Sequence, residues 1–289
     1  MPDEIKIINI RDKNYPRLLK EIALPPEKLY VRGNLELKET DLTLAVVGTR
    51  RCSSYGKETT REIVADLVRA GFTIISGMAR GIDTEAHKAC LEAGGKTIAV
   101  LGSGVDEKSI YPQENIGLAR KIVESGGAVI SEFEPGTPGL PAYFPQRNRI
   151  VAGLSKGILV VEAPERSGAL ITARLGLDFN REIFAIPGPI NWINSFGPNK
   201  LIKQGAKLVM STDDILEEFG LPTSEKFQTR ILPETDDEKK IYELLLREPL
   251  HIDKIIEKTE MSVSSVSSAL SVMEIRGMIK NVGGNVYSL

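Results

Sequence analysis

The chain has 289 residues, 42% hydrophobic, 26% charged and 6% aromatic, with a formal net charge of −2. That length suits one large domain plus a small one, and the near balance of charge excludes a polycation, so a nucleic-acid site has to be a local patch. Two cysteines without metal-type spacing argue against a disulfide framework or a zinc site. The charged start "MPDEIKIINIRDKN" is not a signal peptide, and no apolar run reaches the ~20 residues that span a bilayer. The expected setting is cytoplasmic, with no membrane partner.

Residues 1–41 read as a short mixed segment, with turns around a small helix in "YPRLLKEIALPPEKLYVRGN". From Leu42 the rhythm changes. Seven short apolar runs follow, many of them β-branched: "LTLAVVG", "FTIISG", "KTIAVLG", "GAVISE", "KGILVVEA", "EIFAIPG" and "KLVMS". Stretches of helical spacing separate most of them, such as "GKETTREIVADLVRAG" with Ile63, Val64, Leu67 and Val68 on one face. Near-continuous apolar strands alternating with helices predict a parallel sheet covered on both sides. Residues 42–220 are therefore expected to form one doubly wound α/β domain, followed by a linker over 221–235 in "LPTSEKFQTRILPETDD". Residues 236–289 predict three short helices and then two strands around a Gly-Gly turn, the order of a winged helix-turn-helix domain. That segment carries nine acids and seven bases, a net −2, so phosphate attraction predicts weak duplex binding.

In a doubly wound sheet, ligands sit outside the carboxyl ends of the strands. The first such loop, "VVGTRRCSSYG", offers Gly48, Thr49 and Arg50, with no acid from Leu42 to Lys57. Ser76 and Gly77 open a tight turn after the second strand, and Ser167 is an N-cap candidate whose helix could hold an anion. The segment "FPQRNRI" places Phe144, Arg147, Asn148 and Arg149 at a loop-to-helix junction. No acid lies between Glu134 and Glu162, although buried guanidinium groups need partners. Two readings stay open. The arginines hold phosphates with Phe144 as a base-stacking face, or they pair with Glu132, Glu134 or Glu162 and order the loop.

Catalytic patterns are poorly supplied. The first loop lacks G-x-G-x-x-G. "GSGVDE" has Glu107 at the third glycine position, and "GGKT" is no Walker A loop because Cys90 replaces its first glycine. Of the two histidines, His87 is expected on a helix surface and His251 on the surface of the small domain. Cys52 is read as a half-buried residue rather than a nucleophile. No catalytic residue, metal site or cofactor is expected.

These motifs, with "SGMARGIDTEAH", "VLGSGVDEKSIYPQEN", "VVEAPERSGALITA" and "NKLIKQGA", run in order through nearly all of residues 42–210. Together they resemble the DprA, or Smf, family of DNA-processing proteins. The resemblance implies an extended Rossmann-like fold that binds single-stranded DNA and protects it during natural transformation. It also implies a homodimer, loading of RecA, displacement of single-strand-binding protein and no chemistry on the DNA. The family's G-x-R loop falls on Gly48 to Arg50, and its F-P-x-R-N-R-I segment on Phe144 to Ile150. Many relatives carry an N-terminal helical domain for which 41 residues are too few. The alternative is a phosphoribohydrolase-like enzyme of a related Rossmann group, but its P-G-G-x-G-T-x-x-E loop is matched neither by "SGALITA" nor by "PGPINWINS".

Overall fold

The computed structural model describes residues 4–223, 233–246, 248–276 and 278–288, and the chain divides into two units, residues 1–222 and 223–289. In the first, nine strands form one sheet: β1 (Ile5–Asn9), β2 (Lys28–Gly33), β3 (Thr43–Val47), β4 (Thr73–Ser76), β5 (Thr97–Val100), β6 (Ala128–Ser131), β7 (Gly157–Val160), β8 (Glu182–Ala185) and β9 (Lys207–Leu208). Their order is β1-β2-β6-β5-β4-β3-β7-β8-β9. From β6 to β9 every pairing is parallel, whereas β2 runs antiparallel to both β1 and β6. The chain moves outward from β3 through β4, β5 and β6, then returns to the other flank of β3 as β7. This reversal opens a crevice at the carboxyl ends of β3 and β7, where doubly wound sheets bind ligands.

The helices are α1 (Arg17–Lys20), α2 (Ser54–Arg69), α3 (Ile82–Glu92), α4 (Ile116–Glu124), α5 (Tyr143–Leu154), α6 (Gly168–Asp178), α7 (Phe196–Lys203) and α8 (Asp213–Glu218). Strand alternation sorts them into two layers. Leu44 and Val46 of β3 join Ile63, Leu67 and Ala86 of α2 and α3 in one core. Ala45 and Val47 join Ile150, Leu154 and Ala173 of α5 and α6 in the opposite one.

Two expectations are corrected here. The α/β sheet does not begin at residue 42, because β1 and β2 extend it from within residues 1–41. Leu29 and Val31 of β2 enter the core of Ala45 and Val47, Tyr30 joins a third cluster with Ala99, Ile122 and Val129, and Leu19 and Ile22 pack against Gly153 of α5. The other concerns His87, which is fully buried rather than on a helix surface. Its Nδ1 lies 2.7 Å from Thr97 Oγ1, because α3 is packed on several sides at once.

The second unit comprises α9 (Asp236–Leu245), β10 (Leu250–His251), α10 (Ile252–Thr259), α11 (Val263–Ile275), β11 (Lys280–Gly283) and β12 (Val286–Ser288). Its antiparallel sheet has the order β10-β12-β11. Thr235 and Glu238 close a capping box at the start of α9, and Ile241, Ile255, Val266 and Leu270 fill the core. Gly283 and Gly284 take φ of 106° and 60° in the turn of the wing, a left-handed backbone that glycine adopts without strain. Of the linker expected over 221–235, residues 224–232 lie outside the described residues.

Candidate nucleic-acid interface

A groove of about 960 Å³ lies at the carboxyl edge of the sheet, built from the loops after β3, β4, β5, β6, β7 and β8 and the starts of α5 and α6. Arg50, Arg51, Arg147 and Arg166 line it, and among the described lining residues Asp83 is the sole carboxylate. No ion pair engages Arg50, Arg51 or Arg166 among the described residues. Local charge is thus strongly positive in a chain of net −2.

Why the first loop takes this shape follows from its neighbours. Thr49 is buried; its N–H donates to the Glu162 carbonyl at 2.7 Å, and its own carbonyl accepts from the Ile82 amide at 3.2 Å. Gly48 lies so close to α3 that a Cβ would stand 2.5 Å from Ile82 Cγ1. Pinned there, the loop turns Arg50 and Arg51 outward. Behind it, the buried Glu162 carboxylate accepts from Ser53 N at 2.9 Å and Ser53 Oγ at 2.5 Å, at the positive end of α2.

Arg147 forms the floor. It is 4% exposed and donates through Nη1 to the Val100 carbonyl at 2.7 Å. Burial draws its guanidinium down to about 10, the Asp83 charge opposes that fall, and Arg50 adds to it, so the group stays cationic at neutral pH. Burial likewise raises the Asp83 carboxyl, against the pull of Arg147 and of amides donated by Ala79, Gly48 and Gly77. The Gly77 and Ala79 amides lie 3.1 and 3.4 Å from Asp83 Oδ2. One carboxylate therefore fastens the loops after β3 and β4 and faces the buried arginine.

Phe144 is half-buried at the rim. Arg50 lies over its ring at 5.5 Å, and Tyr111 tilts toward it at 5.4 Å between centroids. Across the groove, Ser167 caps α6 by accepting from Ala169 N, and Asn148 donates to the Gly168 carbonyl at 3.1 Å.

Of the ten residues singled out from sequence, Gly48, Thr49, Arg50, Gly77, Phe144, Arg147, Asn148 and Ser167 line this groove. Ser76 and Arg149 do not. The Ser76 hydroxyl is spent on the Val46 carbonyl at 2.6 Å inside the sheet. Arg149 is bound by both oxygens of Glu132, at 2.6 and 2.7 Å, and donates to the Leu24 carbonyl. The expected loop-to-helix junction also shifts, because α5 already begins at Tyr143.

Sequence reasoning missed Asp83, Tyr111 and Arg166. Asp83 reads as an ordinary acid in the first turn of α3; its position six residues after Gly77 was the available signal. Cys52 and Cys90 lie outside the groove, and burial pushes both thiols up, Cys90 to about 12, away from the reactive thiolate. Among the described residues no group of three or more His, Cys, Asp or Glu side chains is placed to hold a metal ion. No helix there is long and apolar enough to cross a membrane.

Comparison with known proteins adds to this geometry. The family model described as DNA recombination-mediator protein A matches residues 6–220, and the DprA winged helix domain matches residues 225–285. Protein Smf of Escherichia coli (strain K12) is 42% identical, with 95% of this chain and 75% of that protein covered. DNA processing protein DprA of Bacillus subtilis (strain 168) is also 42% identical, over 74% of this chain and 71% of that one. The X-ray structure of DprA from Streptococcus pneumoniae superposes with a TM-score of 0.69 at 41% identity, covering 77% of this chain and 76% of its own. A structure of DNA processing protein A from Helicobacter pylori, described for its single-stranded DNA binding mode, superposes with a TM-score of 0.66 at 30% identity. It covers 76% of this chain and 98% of that one.

Proposed function

The chain belongs to the DNA recombination-mediator protein A family, and from that membership we propose that it binds single-stranded DNA in the arginine groove. It acts there as a mediator that protects incoming strands during natural transformation and hands them to RecA. The observation that carries this reading is the imbalance of the groove: four arginines against one buried carboxylate, beside the half-buried ring of Phe144. Cations take the phosphate backbone, and an aromatic face takes a base that is already unstacked. A duplex keeps its bases paired and stacked, so it cannot use that face. The Helicobacter relative described for its single-stranded DNA binding mode supports the assignment.

The same reading includes a cytoplasmic homodimer, with single-strand-binding protein displaced from the strand as it is transferred. It assigns no catalysis to the groove. Cleavage of a nucleotide by the phosphoribohydrolase route needs an unengaged acid, whereas Asp83 is held by two loop amides and faces Arg147.

The test is fluorescence anisotropy of the full chain with labelled oligo-dT and with duplex of equal length, at several salt concentrations. The expected result is preference for oligo-dT, with a salt slope of about −0.7 per phosphate contact. Equal affinity for both, or none for either, overturns the assignment. Release of free base from nucleoside monophosphates would restore the enzymatic alternative.

A further inference from the structure

Beside the arginine groove, between β8 and α7, the chain reads "PGPINWINSF" over residues 187–196. Ile190, Trp192, Ile193 and Phe196 are 98%, 45%, 76% and 44% exposed. Four large apolar side chains clustered in ten residues are more than the scattered surface hydrophobics of an ordinary domain, and such clusters mark binding sites.

This segment is not a loose loop that happens to expose them. Gly188 N donates to Asn199 Oδ1 at 3.2 Å, and Asn199 Nδ2 donates back to the Gly188 carbonyl at 2.9 Å. Ala163 N donates to the Asn194 carbonyl at 2.7 Å, and Ser195 is buried. Asn194 Nδ2 also donates to the Arg51 carbonyl at 3.0 Å, which fastens the segment to the first arginine loop. Held at both ends, the backbone keeps its apolar side chains turned to solvent. The hollow beneath them, about 450 Å³, shares Pro164, Arg166 and Ile193 with the main groove, so the two depressions adjoin. Cations border the aromatics. Arg166 lines both depressions, and Lys200 Nζ stands 5.8 Å from the Phe196 ring centroid; Glu165 is the hollow's carboxylate.

We infer that this segment is a second base-stacking subsite, in which Trp192 and Phe196 receive bases of the strand held in the arginine groove. The inference rests on reading that groove as a single-stranded DNA site. Arg166 and Lys200 then take the phosphates that flank the stacked bases. Phe144 lines the groove and Trp192 the adjoining hollow, and Arg166 lines both, so a strand long enough to occupy both meets Arg166 at their shared wall. A protein partner or a second copy of the chain would also cover apolar surface, but the bordering cations and the shared wall with the groove favour a polyanion carrying flat rings.

Trp192 is the sole tryptophan of the chain, so its emission reports on this subsite alone. Titration of the full chain with oligo-dT of about sixteen nucleotides should quench that emission, and one of about four should do so less, these being the ends of the usual single-strand site range. Trp192→Ala should weaken binding of the longer strand at least about fivefold, the low end of the loss of one stacked base, with less effect on the shorter one. Trp192→Tyr should restore most of it. If Arg50→Ala weakens binding while Trp192→Ala binds the longer strand like wild type and the emission is unmoved, the subsite is overturned and the groove reading stands. If the wild type binds no oligo-dT, the groove reading falls and takes the subsite with it. An emission change that follows protein concentration without DNA assigns the patch to a second copy and also overturns the inference.

Discussion

Gly77 and Arg147 share one space: the buried guanidinium lies where any side chain at residue 77 would begin. A Cβ on Gly77 would overlap Arg147 Nη1, the atom that donates to the Val100 carbonyl. Gly77→Ala is therefore expected to push Arg147 out of its seat and cost about 1–3 kcal/mol of stability, as overpacking does. Oligo-dT affinity should fall with it. Arg147→Ala should also do both, because it removes a charged hydrogen bond worth roughly 1.5–3 kcal/mol and the cation facing Asp83. Urea unfolding alongside oligo-dT anisotropy checks the pair; a Gly77→Ala variant with unchanged midpoint and affinity contradicts the shared seat.

Arg50 offers the opposite case. It is exposed, makes no ion pair among the described residues and rests over the Phe144 ring. Arg50→Ala should leave the unfolding midpoint within ~0.5 kcal/mol of wild type, as surface changes usually do. Binding to oligo-dT should weaken about tenfold, the loss of one charge-assisted contact, and the salt slope should become shallower by about 0.7. An unchanged slope would show that Arg50 meets no phosphate.

Arg147 and Arg149 differ in role because α5 separates them by two residues, roughly 200° around a helix. One faces the groove, and the other meets Glu132 outside it. Arg149→Ala is expected to cost about 1–3 kcal/mol, since the pair is bidentate and largely shielded, while oligo-dT affinity stays within about twofold. Arg149→Lys should recover only part of the stability, because an ammonium cannot reproduce the fork. Loss of affinity at unchanged stability would return Arg149 to the interface.

What could be read in advance follows the physics of each element. Strands buried on both faces announce themselves as apolar β-branched runs, so β3 to β8 stand out in the sequence. The edge strand β1 does not: Lys6 and Ile7 are both exposed, and its inward-packing residues, Ile5 and Ile8, lie on opposite faces, so no alternation shows. In β2 the buried Arg32 beside Glu107 interrupts the run. The groove was legible in part because Arg50 and Arg51 sit in the loop that ends β3. Asp83 was not, since its importance comes from loops far apart in the chain that meet only in the fold. Nor was the burial of His87: of α3, Lys88 and Glu92 stay exposed while the neighbours of His87 on the helix are buried.

His87 makes the last prediction, on acid stability. Burial, with Arg147 adding to it, holds the folded imidazole down at about 3, against 6.5 for the ordinary group. The unfolded chain therefore binds a proton that the folded chain refuses between those values. Stability that is fully present above pH 6.5 is lost progressively as pH falls toward 3. Asp83, whose carboxyl is raised, acts in the opposite sense, gaining stability as pH falls toward the ordinary carboxylate range. Comparison with a variant separates the two. His87→Gln keeps a polar partner for Thr97 Oγ1 but cannot take the proton, so its urea midpoint should change less between about pH 7 and 5 than that of wild type. Parallel pH profiles for the two proteins would mean that His87 titrates normally in the folded state, and that the helix face carrying it admits water.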